Sequence, residues 1–214
     1  MPGDTTLADS AHAAFWDARY SADVTPWDAG GVPEALKAFA GRRPEPVRVL
    51  IPGCGSGHEA AYLLERGWDV LAIDFSPVAV ALASTTLGSR ARVVREADFF
   101  SLNDAPFDVV YERAFLCALP PSTWPVYADQ MARLVRPGGL LAGFFFLAET
   151  GGGPPFGISR QALQALLGGA FRCLTDDPVS DSLPVFAGAE RWQVWQRLAH
   201  PEARQRPYES EREA

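Results

Sequence analysis

The chain has 214 residues, 48% hydrophobic and 21% charged, with a formal net charge of −7. That length buries a core as one domain, and the balance is that of a folded globular protein. The acidic excess and the lack of a basic stripe argue against nucleic acid as the partner, and no apolar run reaches the roughly 18 residues of a membrane span.

The first 20 residues, MPGDTTLADSAHAAFWDARY, have no basic start before an apolar core, so no signal peptide is expected. Cys54, Cys117 and Cys173 are odd in number and contain no CxxC pair, which fits a reducing cytoplasm better than a disulfide framework. Residues 1–40 are aromatic and helical, with FWDARY and VPEALKAFA as helical pieces around the turn-like SADVTPWDAGG. Strands and helices then alternate. VRVLI (47–51) is a short buried strand, residues 57–66 a helix, and WDVLAID (68–74) a second strand. SPVAVALAST follows as a helix, with Ser76 at its cap and Pro77 at its first position. ARVVREAD (91–98) and FDVVYE (107–112) are the next strands, and a helix over 122–135 is opened by Ser122. PGGLLAGFFFLAE (137–149) is a strand after a Pro-Gly-Gly turn, with Phe144, Phe145 and Phe146 mostly core. ISRQALQALLGGAF is a helix ended by glycines, and ERWQVWQRLAH alternates like a strand with one solvated face. The charged tail 201–214 is expected to be loose. Strands alternating with helices predict an α/β sandwich on a mostly parallel sheet.

Between the first strand and its helix stands Pro52-Gly53-Cys54-Gly55-Ser56-Gly57. Glycine there permits positive φ and leaves no Cβ between the backbone and a ligand. Ligands of such sheets bind at the carboxyl ends of the strands. Asp74 ends the second strand, where a carboxylate accepts from a ribose diol. Dinucleotide sites use Gly-x-Gly-x-x-Gly, with the pyrophosphate at the helix N-terminus. The spacing Gly53-x-Gly55-x-Gly57 is instead typical of S-adenosylmethionine sites. ADFF (97–100) adds Asp98 for an adenine amino group and the Phe99 amide for a ring nitrogen. The bland readings are a mere tight turn, a packed Cys54 side chain and an ordinary first-turn His58.

TPWDAGGVPEAL, VLIPGCGSGHEAAYLLERGWDVLAIDFSPVAV, ADFF, YERAFLCALPP, MARLVRPGGLL and GGPPFGIS together resemble the thiopurine S-methyltransferase family, which includes bacterial thiol and plant halide/thiocyanate methyltransferases. The resemblance runs from about residue 16 to about 198. It implies the class I methyltransferase fold: a seven-stranded, Rossmann-like, mostly parallel sheet with an antiparallel last strand and helices on both faces. It further implies one domain over 1–200, with 1–40 as a lid, and a cofactor, S-adenosyl-L-methionine, that leaves as S-adenosyl-L-homocysteine. Carried over by position, Trp16, Tyr20 and Trp27 cover the cofactor, although such aromatics could instead staple the first helix onto the sheet. Gly53, Cys54 and Gly55 lie in the methionine-side loop, Asp74 meets the ribose, and Asp98 and Phe99 meet the adenine. Arg113 matches the thiopurine branch, whereas the following FLCALPP looks more like the halide/thiol branch. Arg113 therefore positions either the acceptor or the cofactor, and a guanidinium is no general base. The acceptor side implied is small and apolar, lined by Trp27, Phe115 and Phe156, the last either shielding the transferring methyl or anchoring its loop.

The activity implied is direct in-line methyl transfer to a small soft nucleophile: a thiol, hydrosulfide, thiopurine, halide, thiocyanate or metalloid oxyanion. No metal, nucleic acid or membrane is called for, and a monomer or at most a weak dimer is expected. A nicotinamide-dependent oxidoreductase is disfavoured by the glycine spacing and by the lack of a Tyr-x-x-x-Lys pair. A cofactor-binding sensor or scaffold without turnover remains the alternative.

Overall fold

The structure, a computed structural model, describes residues 9–43 and 45–199. Helices α1 (Ala13–Ser21) and α2 (Glu34–Gly41) precede the sheet. There follow β1 (Arg48–Pro52), α3 (His58–Glu65), β2 (Asp69–Asp74), α4 (Pro77–Leu87), β3 (Val94–Glu96) and β4 (Phe107–Arg113). Then come α5 (Trp124–Leu134), β5 (Val135–Phe146), α6 (Arg160–Leu167), β6 (Phe171–Pro178) and β7 (Glu190–Arg197). The strands form one sheet in the order β3-β2-β1-β4-β5-β7-β6, with β7 antiparallel to both its neighbours and the other pairings parallel.

Successive residues of a strand face opposite sides, so each strand feeds two cores. In β1, Val49 and Ile51 join a cluster with Leu36 of α2, Leu63 of α3 and Leu87 of α4. Leu50 points the other way, among Tyr127, Met131 and Leu134 of α5 and Leu163 and Leu167 of α6. The same alternation in β5 sends Ala142 and Phe144 to the first cluster and Leu141 and Phe145 to the second. Helices thus cover both faces, which is why the middle strands read as continuous apolar runs.

Several sequence-based boundaries are corrected. The strand expected over 91–98 is an edge strand of Val94–Glu96, because residues 88–93 wind into a 3₁₀ turn entered at Gly88 with φ 56°. Pro137-Gly138-Gly139 is a bulge inside β5 and not a turn before it: Val135 already pairs with Phe107, and the register slips before Val109 meets Leu140. A Cβ on Gly139 would stand 2.9 Å from the Asp108 carbonyl oxygen, so the two backbones lie too close for a side chain there. Ser122 does not open α5; it lies in a 3₁₀ turn of Pro121–Thr123, and the helix starts at Trp124. The helix of ISRQALQALLGGAF ends at Leu167, at its glycines as read, whereas the strand that begins at Phe171, β6, was not read from the sequence. Ser76 and Ser159 cap their helices, accepting from the amides of Ala79 and Ala162, each at 3.1 Å. The expected loose tail at 201–214 lies outside the described residues.

Candidate active site

The strand order reverses between β1 and β4, and a crevice opens where their carboxyl ends part. A cavity of about 590 Å³ occupies it and runs along the whole carboxyl edge of the sheet. Its walls follow the strand order: Asp98 after β3, Asp74 at the end of β2, Gly53 and Gly55 after β1, Arg113 at the end of β4, Pro154 and Pro155 after β5, and Val185 and Phe186 before β7.

The glycine loop is tied to β2. The Cys54 amide donates to the Ile73 carbonyl at 3.0 Å, and the Gly55 amide donates to Asp74 Oδ2 at 3.1 Å. Asp74 Oδ1 accepts from the Ser76 amide at 3.0 Å. The carboxyl is 6% exposed, and burial raises it to about 6 against the downward pull of the Ser76 and Gly55 amides. Gly53 and Gly55 have φ 60° and 51°. The groups crowding them are also visible: an added Cβ would lie 2.6 Å from the Phe115 ring at Gly53 and 3.0 Å from the Tyr20 hydroxyl at Gly55. Cys54 is buried, and burial pushes its thiol well above the usual range, as expected of a packed side chain.

Asp98 is exposed at the cavity's other end, where its Oδ1 accepts from the Phe100 amide at 2.9 Å and starts a 3₁₀ turn. The Phe99 ring is 4% exposed and packs edge-on against Phe115 at 5.1 Å between centroids.

Residues 13–29 lie over the same edge. Trp27 meets Trp16 at 5.3 Å and Tyr20 at 5.9 Å, both edge-to-face, and all three line the cavity. Burial beside Asp74 pushes the Tyr20 phenol upward. Two aspartates fasten this segment. Asp17 of α1 accepts from Ser76 Oγ at 2.5 Å, at the turn after β2. Asp28 accepts from Ser56 Oγ at 2.5 Å in the glycine loop, caps the Gly30 amide at 2.7 Å and stands 3.6 Å from His58 Nε2. Neither aspartate was singled out from the sequence; TPWD, with an acid just past the aromatic, was the available signal.

After β4 the backbone turns sharply, with Ala114 at φ 55°, an uncommon conformation for a residue with a Cβ. Glu112 supports the turn. It is fully buried on the opposite face from Arg113, and its Oε2 accepts the Phe115 and Leu116 amides at 3.0 and 3.1 Å. Burial raises that carboxyl to about 7. The turn holds Phe115 over Gly53 and aims Arg113 into the cavity. The Arg113 guanidinium carbon lies 5.1 Å from the Phe144 ring centroid, and its Nε is buried without a hydrogen-bond partner.

Beyond Arg113 the cavity is apolar. Trp27, Ala114 and Val185 pack against buried Cys117, Phe146 and Phe186. Val185 and Phe186 were missed, although LPVF before the last strand was the visible signal. Phe156 is not among the lining residues. Its amide donates to the Cys117 carbonyl at 2.7 Å and its ring packs on Gly153, so it anchors the loop while Pro154 and Pro155 face the cavity.

The donor set suits an adenosyl sulfonium. A buried carboxylate and an exposed one stand on the β2 and β3 side, side-chain-free backbone lies in the middle, and aromatic faces that favour a cation close the top. Among the described residues no group of three or more His, Cys, Asp or Glu could hold a metal ion.

Comparison with known proteins agrees. The thiopurine S-methyltransferase family model matches residues 11–198. Thiopurine S-methyltransferase of Methylococcus capsulatus is 31% identical over 181 residues, covering 74% of this chain and 82% of its own. Thiocyanate methyltransferase 1 of Arabidopsis thaliana is 26% identical over 202 residues, covering 91% and 89%. A solved structure of Burkholderia thailandensis 1,6-didemethyltoxoflavin-N1-methyltransferase, with 1,6-didemethyltoxoflavin and S-adenosylhomocysteine bound, shares the fold with TM-score 0.69, 20% identity and 92% coverage of each chain.

Proposed function

The chain belongs to the thiopurine S-methyltransferase family and is an S-adenosyl-L-methionine-dependent methyltransferase, and from its cavity we propose that it methylates a small soft nucleophile, foremost a thiol or hydrosulfide and next a thiopurine. The observation that carries this reading is one cavity laid out in strand order, polar from Asp98 to Gly53 and apolar from Ala114 to Phe186.

The cofactor, when bound, supplies a methyl group already activated on a sulfonium. In this reading Asp74 accepts from the ribose diol, Asp98 and the Phe99 amide hold the adenine, and the Gly53-Cys54-Gly55 backbone faces the methionine end. Trp16, Tyr20 and Trp27 close over it, exclude water and present ring faces to the positive sulfur. The apolar end aligns the acceptor behind the methyl carbon, and this positioning is the main contribution asked of the protein. Arg113 stands at the junction of the two ends and orients whichever group lies there.

Titration calorimetry should show S-adenosylmethionine and S-adenosylhomocysteine binding, with nicotinamide dinucleotides far weaker. A methyl-transfer screen with hydrosulfide, a short thiol, a thiopurine and iodide should then show turnover. Cofactor binding with no transfer to any soft nucleophile would overturn the acceptor assignment.

A further inference from the structure

At the junction between the two ends of the cavity a carboxylate and a guanidinium share the wall, Glu59 beside Arg113. Arg113 is faced by Glu59, from the first turn of α3, and by Glu190, from the start of β7. Glu190 is held from below, accepting from Ser182 Oγ at 2.7 Å and the Leu183 amide at 3.3 Å. The second arginine of the wall, Arg19, is turned away: its guanidinium lies 3.3 Å over the Phe15 ring and donates to the Phe15 carbonyl at 3.0 Å. An entering anion therefore meets the Glu59 carboxylate beside the Arg113 guanidinium on the cavity wall, with Glu190 buried behind it, in a setting where Coulomb interactions are weakly screened. The apolar wall beyond offers no ion pair.

The cavity's carboxylates are not equivalent. Asp28 is bonded by Ser56 and Gly30, Asp74 by Gly55 and Ser76, and Asp98 by Phe100. Glu59 has only a long contact across to β4, from the Tyr111 hydroxyl at 3.4 Å, besides its own amide. Its carboxylate lines the cavity with acceptor capacity to spare.

Resting on the methyl-transfer reading above, we propose that the acceptor is an uncharged thiol on an apolar carrier, and that Glu59 takes the thiol proton. The thiol sulfur bonds to the methyl carbon, and the carbon–sulfonium bond breaks with its electron pair kept by the departing thioether. The proton passes from the thiol to the Glu59 carboxylate and then to water. Iodide and thiocyanate bring no proton and so gain nothing from Glu59. Burial pushes the Glu59 carboxyl upward, in the direction that suits a proton acceptor. The charged and titratable groups around it are Arg113 and Tyr111 of β4, His58 beside it, Asp28 of the covering segment and Cys54 of the glycine loop.

The test compares butane-1-thiol, uncharged at neutral pH, with iodide and thiocyanate. Wild-type kcat/KM should favour the thiol by about tenfold or more. Glu59→Gln should lower thiol turnover by about a hundredfold, the usual range for a positioned base, without lowering iodide turnover. The same variant should remove the acidic limb of the thiol pH profile. Titration of the S-adenosylhomocysteine complex with butane-1-thiol should show binding in both proteins. A wild-type preference for iodide or thiocyanate, or an equal fall for thiol and iodide in the variant, would overturn the inference. If the variant fails to bind S-adenosylhomocysteine, the wild-type pH profiles decide: an acidic limb with the thiol and none with iodide supports the inference, and the same profile for both overturns it. Transfer to iodide alone overturns only this inference; no cofactor binding and no transfer to any acceptor overturns the methyl-transfer reading with it.

Discussion

Asp74 carries three loads at once: it caps the turn into α4, fastens the glycine loop, and faces the cavity. Asp74→Ala leaves hydrogen-bonding partners unpaired, and cofactor affinity should fall by about 1–3 kcal/mol in calorimetry. Its elevated carboxyl, near 6, adds a pH dependence. A ribose diol needs the ionised form as acceptor, so below about pH 6 binding must expel a proton and affinity should drop, by up to tenfold per unit. Stability runs the other way. A folded value raised above the unfolded one favours the protonated fold, a stabilisation present at low pH and lost as pH rises through about 6. Gly53 is a second single-residue test. Gly53→Ala combines φ 60° with a Cβ 2.6 Å from the Phe115 ring, and should cost about 1–2 kcal/mol in urea unfolding while displacing Phe115. That the acid at the end of β2 and the glycines after β1 meet at one cavity was legible, because a strand end and a strand-to-helix turn are placed by short-range pattern. Glu59 and Glu112 were not, since an acid in a helix's first turn, or inside a strand, carries no signal until its neighbours are known.

The covering segment is held by α1 packing on α4 and by two specific side-chain hydrogen bonds. Its docking rests on Asp17 at the turn after β2 and Asp28 at the turn after β1, each bonded to a serine that helps form the turn. Asp28→Ala removes the Ser56 bond, and limited proteolysis within residues 10–30 should then quicken even with S-adenosylhomocysteine present. In the wild type the same ligand should slow cleavage there, and equal rates with and without it would count against a ligand-coupled lid. Edge strands account for part of the boundary errors, the bulge in β5 and the 3₁₀ turn before α5 for the rest. β3 and β6 each have a single neighbour, so their sequences need not be apolar on both faces. In β6 a register slip between Cys173 and Thr175, followed by Asp176 and Asp177, also breaks the period-two pattern.

The site spans the whole carboxyl edge of the sheet, so ligand binding should stabilise the molecule as a unit. S-adenosylhomocysteine at about 100 times its Kd should add about 2.7 kcal/mol, a rise in Tm of roughly 5–10 °C. Calorimetric scans should show that rise in the wild type and most of it lost in Asp74→Ala. What the amino-acid sequence determined by itself is the alternation of strands and helices, the family, and the placing of Gly53, Asp74 and Asp98 on one cavity wall. These depend on short-range patterns: apolar periods, glycines at a turn, an acid a fixed distance on. The end of the cavity beyond Arg113 was decided by the tertiary structure. Arg113 and Glu59 come to its wall from β4 and α3, Glu190 of β7 lies buried behind them, and Phe186 replaces Phe156 in the wall. Their charge balance and apolar contacts exist only once β4, β5 and β7 lie side by side, because electrostatics and packing act through space and not along the chain.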